Sequence, residues 1–246
     1  MILHALAGYI QTIYLAEYPD KLILLDGCCR ADIETIEAFI TQTLGRPISD
    51  LKLIVVTHMH PDHAGAAIAM RLKHQIPLAS VQKEKHWYSG IRGFFAHLID
   101  LALAYYVVKA HNKKLKKLWY KRKLVPDFHL DDNQSLPYFS DWQVIYTPGH
   151  TDRDISLYHR SSSQVYVADT ILKIKGKYIP PFPICYPKQY KSSLKRLADL
   201  NAKEVLMAHG QKSNITPDEI LHLLDNAPET PRRYGYFIKR FVGITK

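Results

Sequence analysis

The stretch from Leu51 to His63 constrains this chain more than any other. Leu51 to Val56 is a short apolar run rich in β-branched residues, the composition of a strand covered on both faces. It runs directly into Thr57-His58-Met59-His60-Pro61-Asp62-His63, which places three imidazoles and a carboxylate within six positions. Residues 62–75 then take helical spacing. A strand that ends this way delivers several costly polar groups to one spot, and they require a compensating charge. Imidazole and carboxylate are the side chains that suit zinc and similar divalent ions. His58 and His60 are two residues apart, so an extended backbone projects them to the same side. Asp62 and His63 fall where the loop turns into the helix and reach a second position beside the first. A lone histidine would read as a satisfied core or surface residue, but a cluster this dense reads as a metal site.

The rest of the chain alternates strands and helices around that point. Tyr9 to Leu25 reads as two short strands joined by the Tyr-Pro-Asp-Lys turn at 18–21, the second ending at Asp26-Gly27. Ile33, Ile36, Phe39 and Ile40 give residues 32–44 a helical spacing, stopped by Gly45-Arg46-Pro47. Pro77 to Val81 reads as another strand. After residue 125, strands are expected at 143–146, 155–158 and 165–168, a helix at 189–200, a strand at 204–207 and a helix at 217–225. This order predicts a layered α/β sandwich. Three further metal-competent residues follow strand patterns: His150 in Thr147-Pro148-Gly149-His150-Thr151, Asp169 after Val165 to Ala168, and His209 after Val205 to Ala208. Sites in α/β sheets gather at strand ends, so these segments can converge on one face.

The ordered series His58-Met59-His60-Pro61-Asp62-His63, His150, Asp169 and His209 resembles the metallo-β-lactamase superfamily, in particular its glyoxalase II and lactonase-like members. The resemblance spans roughly residues 9 to 212. It implies an α/β fold, the four-layer αβ/βα sandwich of the metallo-β-lactamase fold, as a single domain over 1–246 with a helical insertion. It also implies one metal on His58, His60 and His150, a second on Asp62, His63 and His209, and Asp169 bridging them. Asp26 matches a family position that supports the site from outside. Ala168 and Ala208 depart from the pattern, standing where glycines often precede the aspartate and the last histidine. Thr151-Asp152-Arg153-Asp154 replaces a more usual glycine-containing turn.

Two adjacent divalent ions, zinc in the first instance with iron and manganese as alternatives, would make hydroxide from a shared water near neutral pH and polarise the electrophile. Asp62 would orient that nucleophile and act as the catalytic carboxylate. The expected reaction is hydrolysis of a small acyl substrate: a thioester, lactone or ester. The alternative is a metal-dependent phosphodiesterase or nuclease. Tyr178, Tyr186 and Tyr190 are possible hydrogen-bond donors to a transition state.

Charge and cysteine usage narrow the setting. The 246 residues carry a formal charge of +10, compatible with anionic small molecules, nucleic acid or anionic membrane. Only Cys28, Cys29 and Cys185 occur, which excludes a disulfide framework and predicts a reducing, cytoplasmic compartment. The N-terminus lacks the pattern of a signal peptide. Much of the positive charge lies in a helical, basic insertion over 84–125. Ile91, Phe94, Phe95, Leu98, Ala102 and Tyr105 recur there at helical spacing, and eight Lys or Arg residues without an acid fill 109–123. Arg92, His97 and Asp100 interrupt the apolar run, so it reads as short of a membrane span. A solvated helical hairpin, a lid over the metals, a helix lying on anionic membrane and a homodimer contact all fit this segment.

Overall fold

The structure, a computed structural model, describes residues 1–233. It divides into two compact units, Met1–Leu130 with Leu136–Ser140, and Asp131–Ser135 with Asp141 onward.

The first unit is built on a six-stranded sheet of β1 (Ile2–Ala7), β2 (Thr12–Glu17), β3 (Leu22–Leu24), β4 (Leu51–Val56), β5 (Leu78–Ser80) and β6 (Phe128–His129), in that order across the sheet. The first three pair antiparallel, and β3 through β6 pair parallel. Apart from Lys52, every residue of β4 is buried, as its unbroken apolar run requires. The helical segments are α1 (Ile33–Ala38), α2 (Pro61–Ala64), α3 (Ala67–His74) and α4 (Gly90–Ala110). Ile36, Ile40, Met70 and Leu101 bring helical residues into a core shared with Leu15, Leu24, Ile54 and Leu78.

A five-stranded sheet belongs to the second unit except for residues 136–140, which fall in the first. Its strands are β7 (Ser135–Leu136), β8 (Phe139–Tyr146), β9 (Ile155–His159) and β10 (Gln164–Tyr166), a separate hairpin of β11 (Leu172–Ile174) and β12 (Lys177–Ile179) intervenes, and β13 (Glu204–Leu206) closes the sheet beside β10. The sheet order is β13-β10-β9-β8-β7, with β10 and β13 parallel. Two helices, α5 (Pro187–Asp199) and α6 (Pro217–Asn226), pack on each other. Both begin with proline at the first turn, where its missing N–H costs nothing. Leu194, Leu197, Ile220 and Leu223 join Val165, Val167 and Met207 in this unit's core.

Most expected elements occupy their expected places, with four differences besides the short strands β6, β7, β11 and β12, which were not expected. β1 precedes the two expected strands and pairs along its whole length with β2. The helix expected over 32–44 is shorter, with a 3-10 turn before α1 and a π-helical turn at Phe39–Thr43 after it. The helix expected over 62–75 breaks into α2 and α3. The backbone N–H of Ala66 bonds to the carbonyls of Gly27 and Cys28, at 3.1 and 3.0 Å, and so anchors the break to the loop after β3. The basic insertion holds one helix, α4, and not a hairpin; after it, residues 113–127 run without regular structure.

The loop after β3 sits very close to the cluster at 57–63. A Cβ on Gly27 would lie 2.4 Å from the His63 carbonyl oxygen and 3.0 Å from Ala67 Cβ. Backbone cannot yield as a side chain does, so overpacking here costs about 1–3 kcal/mol. Gly27→Ala is expected to lower the urea midpoint by a corresponding amount. An unchanged midpoint would show that the two loops separate freely.

Candidate metal centre

Within the first unit, the end of β4 and the start of α2 carry His58, His60, Asp62 and His63, and the end of β3 carries Asp26. His58, His60 and His63 are buried and Asp62 is half-buried. Their hydrogen bonds assign which nitrogen of each ring is available. Asp26 accepts the backbone N–H groups of Gly27 (2.9 Å) and Thr57 (3.1 Å), the Thr57 hydroxyl (2.8 Å) and Nδ1–H of His63 (2.6 Å). A carboxylate accepts a hydrogen bond from the ring nitrogen it faces and so holds the proton on Nδ1, which leaves the lone pair on Nε2 of His63. That Nε2 lies 3.7 Å from Asp62 Oδ2. The Thr57 hydroxyl, already donating to Asp26, accepts from Nδ1–H of His58 at 3.2 Å, which leaves Nε2 of His58 bare. His58 Nε2 lies 3.1 Å from Nδ1 of His60. The other nitrogen of His60, Nε2, faces the carboxylate of Asp100 at 3.7 Å.

Asp100 comes from α4 and is buried. It accepts the Tyr88 hydroxyl at 2.7 Å. The Tyr120 hydroxyl, 3.3 Å from that of Tyr88, donates to the carbonyl of Met59, between the two histidines. Burial pushes the Tyr120 hydroxyl well above the usual phenol range, so it remains a donor. These three residues hold His60 from the side of the insertion.

Within the second unit, His150 Nδ1 lies 2.6 Å from the Pro183 carbonyl, an acceptor only. Nδ1 therefore donates, and Nε2 carries the lone pair. That Nε2 is 3.6 Å from Oδ2 of Asp169, whereas Oδ1 of the same carboxylate is 3.3 Å from Nε2 of His209. Asp169 thus presents one oxygen to each histidine. The turn after His150 is held by Asp154, whose carboxylate accepts the Thr151 N–H and hydroxyl, both at 2.6 Å. Burial raises the Asp154 carboxyl, while nearby His150 and the two Thr151 bonds pull it down. This acid holds the turn that stands here in place of the glycine-containing turn more usual in the family the sequence resembles. Gly149 is still required, because a Cβ there would lie 2.5 Å from Tyr190 Cα.

These donors fit a divalent cation. Four nitrogen or oxygen ligands held tetrahedrally at about 2.0–2.1 Å lie roughly 3.3 Å from one another. The pairs His58–His60, Asp62–His63, His150–Asp169 and His209–Asp169 span 3.1 to 3.7 Å. Neutral imidazoles with one nitrogen tied back and carboxylates at this spacing are the chemistry such an ion takes. Each unit therefore presents its ligands as two donor pairs.

The family model described as the metallo-beta-lactamase superfamily matches residues 6–209, most of the chain and the whole ligand series. The chain belongs to the metallo-beta-lactamase superfamily. A curated relative, the probable metallo-hydrolase YflN of Bacillus subtilis, is 23% identical over 226 residues, covering 84% of this chain and 83% of the relative. Among solved structures, the superfamily protein ST1585 of Sulfolobus tokodaii matches with a TM-score of 0.64 at 24% identity, covering 91% of this chain and 84% of the other. TTHA1429 of Thermus thermophilus matches with a TM-score of 0.63 at 22% identity, covering 91% and 78%. The fold expected from the sequence, the αβ/βα sandwich of this superfamily, is borne out. The chain is an enzyme, a metallo-hydrolase of the metallo-beta-lactamase superfamily.

The superfamily motif led to Asp26 but not to Asp100, Tyr88, Tyr120, Thr57 or Asp154. The one sequence signal for Asp100 was an acid inside an otherwise apolar helical run. Two of the suggested tyrosines serve packing. Tyr190 is fully buried and donates to the Thr170 carbonyl at 3.0 Å, and Tyr178 bonds to Ser213 at 2.7 Å and to Lys173 at 3.1 Å. Tyr186 is half-buried at the start of α5.

Residues that orient metal ligands typically contribute 10–100-fold to metal affinity. Asp26→Ala and Asp100→Ala are each expected to weaken metal retention by about that factor, read by competition with a chromogenic chelator. Wild-type affinity in Asp100→Ala would show that the insertion does not support His60.

Proposed function

We propose that the chain is a dinuclear metal-dependent hydrolase of small acyl substrates, meaning thioesters, lactones or esters. The observation that carries this reading is the set of donor pairs at coordination spacing, with Asp169 offering an oxygen to each of two histidines. In this reading His58, His60 and His150 would hold one ion, Asp62, His63 and His209 would hold the other, and Asp169 would be shared between them. Zinc suits the nitrogen-rich donor set, and iron or manganese suits it as well. When bound, such ions supply Lewis acidity, which lowers the pKa of a water and polarises the electrophile's oxygen.

The chain's own residues supply the rest. Asp62, half-buried beside His63, orients the attacking water through its carboxylate and takes its proton at the oxygen turned from His63. Asp26 keeps His63 in the tautomer with the proton on Nδ1, and Thr57 does the same for His58. The apolar helix α4 stands against this loop through Asp100 and His60. That neighbourhood favours a substrate with an apolar group over a free phosphate ester. The thiols of Cys28 and Cys29 play no nucleophilic part, because burial pushes both well above the usual thiol range. The small number of cysteines, three in all, suits a cytoplasmic setting.

The exposed lysines after α4 favour a second reading, a phosphodiesterase acting on nucleic acid. A panel of thioester, lactone, ester and RNA substrates, assayed on protein of measured metal content, separates the two. Turnover of at least one acyl substrate is expected, lost on treatment with a chelator and restored by added metal. Cleavage of RNA with no acyl turnover would replace the first reading with the second.

A further inference from the structure

α4 has two apolar faces. Leu101, Ala104 and Val108 are buried on one, together with His97 and Asp100. On the other, Ile91, Phe94, Phe95, Leu98, Ala102 and Tyr106 are all exposed, Ile91 by 78% and Phe95 by 57%. Their spacing of three and four residues draws one stripe along the helix, which ends at exposed Lys109.

The segment after α4 extends this surface. It is fastened to the first unit at several points. Lys113 Nζ donates to the carbonyls of Gly8 (3.0 Å) and Tyr9 (2.8 Å), Leu118 N–H donates to the Tyr105 hydroxyl (3.1 Å), and Arg122 lies 5.5 Å over the ring of Phe94. The rings of Trp119 and Tyr120 pack on His97 at 5.2 and 4.8 Å. From 117 to 123 the segment alternates as an extended chain does. Leu118, Tyr120 and Arg122 turn inward, while Lys117, Trp119, Lys121 and Lys123 turn outward. Lys109, Lys114, Lys117, Lys121 and Lys123 form no ion pair among the described residues, and 109–123 holds no acid.

We propose that α4 and the segment 113–123 form a docking surface for a bilayer containing anionic phospholipid. The apolar stripe would lie in the interface plane and the lysines among the headgroups. Both properties of the surface are needed for the choice of partner. A nucleic acid would engage the lysines and leave Ile91, Phe94, Phe95 and Leu98 in water. A second copy meeting this face by two-fold symmetry would bury the stripe but set lysines against lysines. An anionic bilayer satisfies both. By length and composition α4 can also cross a membrane. Crossing, however, would strip Asp100 from Tyr88 and His60, and His97 from its aromatic neighbours, so the helix lies on the surface.

Co-sedimentation with vesicles of phosphatidylcholine alone, and of phosphatidylcholine mixed with phosphatidylglycerol, tests this proposal. The full chain is expected to pellet with the mixed vesicles only, to be released by salt, and to show a blue shift in Trp119 fluorescence on binding. Two variants should lose binding at unchanged circular dichroism and metal content: Ile91→Ser with Phe95→Ser, and Lys114, Lys117, Lys121 and Lys123 each →Gln. Four lysines are expected to contribute at least about 100-fold to partitioning. Three results would each overturn the proposal. These are failure to pellet with mixed vesicles, a concentration-dependent dimer abolished by Ile91→Ser with Phe95→Ser, and RNA binding tighter than vesicle binding and indifferent to that double change.

Discussion

The carboxylate of Asp26 is the point on which the first unit's candidate ligands rest. It accepts four hydrogen bonds from three residues, Gly27, Thr57 and His63. Two come from Thr57 and fasten the ends of β3 and β4 together. A third fixes the ring of His63 at the start of α2. The close approach at Gly27 and the two carbonyls accepting Ala66 N–H press the same loop against the break between α2 and α3. A buried carboxylate is costly unless its lone pairs are filled, and here they are filled by groups that also set ligand geometry. The requirement to satisfy one charge therefore fixes the position of the neighbouring donors.

The same logic runs through the other histidines. Each imidazole must be neutral, with the correct nitrogen bare, to bind a cation, and a tautomer is chosen by what the opposite nitrogen meets. His63 meets a carboxylate, His58 a hydroxyl already committed as a donor, and His150 the carbonyl oxygen of Pro183. Three different partners reach one outcome by three local routes, while Nε2 of His60 lies 3.7 Å from the carboxylate of Asp100, an electrostatic rather than a hydrogen-bonding distance. The second unit adds Asp169 after Ala168, whose φ of +45° is a left-handed conformation costly for a residue with a Cβ. The glycine often found at this place in the superfamily avoids that strain. Ala208 is not among the described residues with positive φ, so its substitution for glycine carries no such cost.

The candidate ligands were legible in the sequence because each follows a strand pattern, and because four of them are packed into six positions, which few other chemistries demand. The fold was legible for a related reason. Fully buried strands such as β4 and amphipathic helices such as α5 advertise themselves by composition and period. What stayed hidden depends on contacts between distant segments. The break at Gly65-Ala66 leaves the helical period unbroken, and only the carbonyls of Gly27 and Cys28 reveal it. Asp154 replaces glycine in the His150 turn by a hydrogen-bonding device that no spacing rule marks. β1 alternates weakly and is mostly exposed or half-buried, so its pairing with β2 leaves little trace in the residues themselves.

The insertion was the least legible part, and its structure explains why. A helix that is apolar on both faces has almost no periodic signal, so its composition suits a core helix, a membrane span and a surface-lying helix alike. The discriminating residues are His97 and Asp100. Each interrupts the apolar run, and each is buried against the first unit: His97 among three aromatic rings, and Asp100 between Tyr88 and His60. Their burial fixes which face turns inward, and the stripe from Ile91 to Tyr106 turns outward as a consequence. The one face steadies a candidate metal ligand while the other meets solvent beside lysines that form no ion pair among the described residues. A contact on the outer face is therefore separated from His60 by the thickness of a single helix, with Asp100 as the connection.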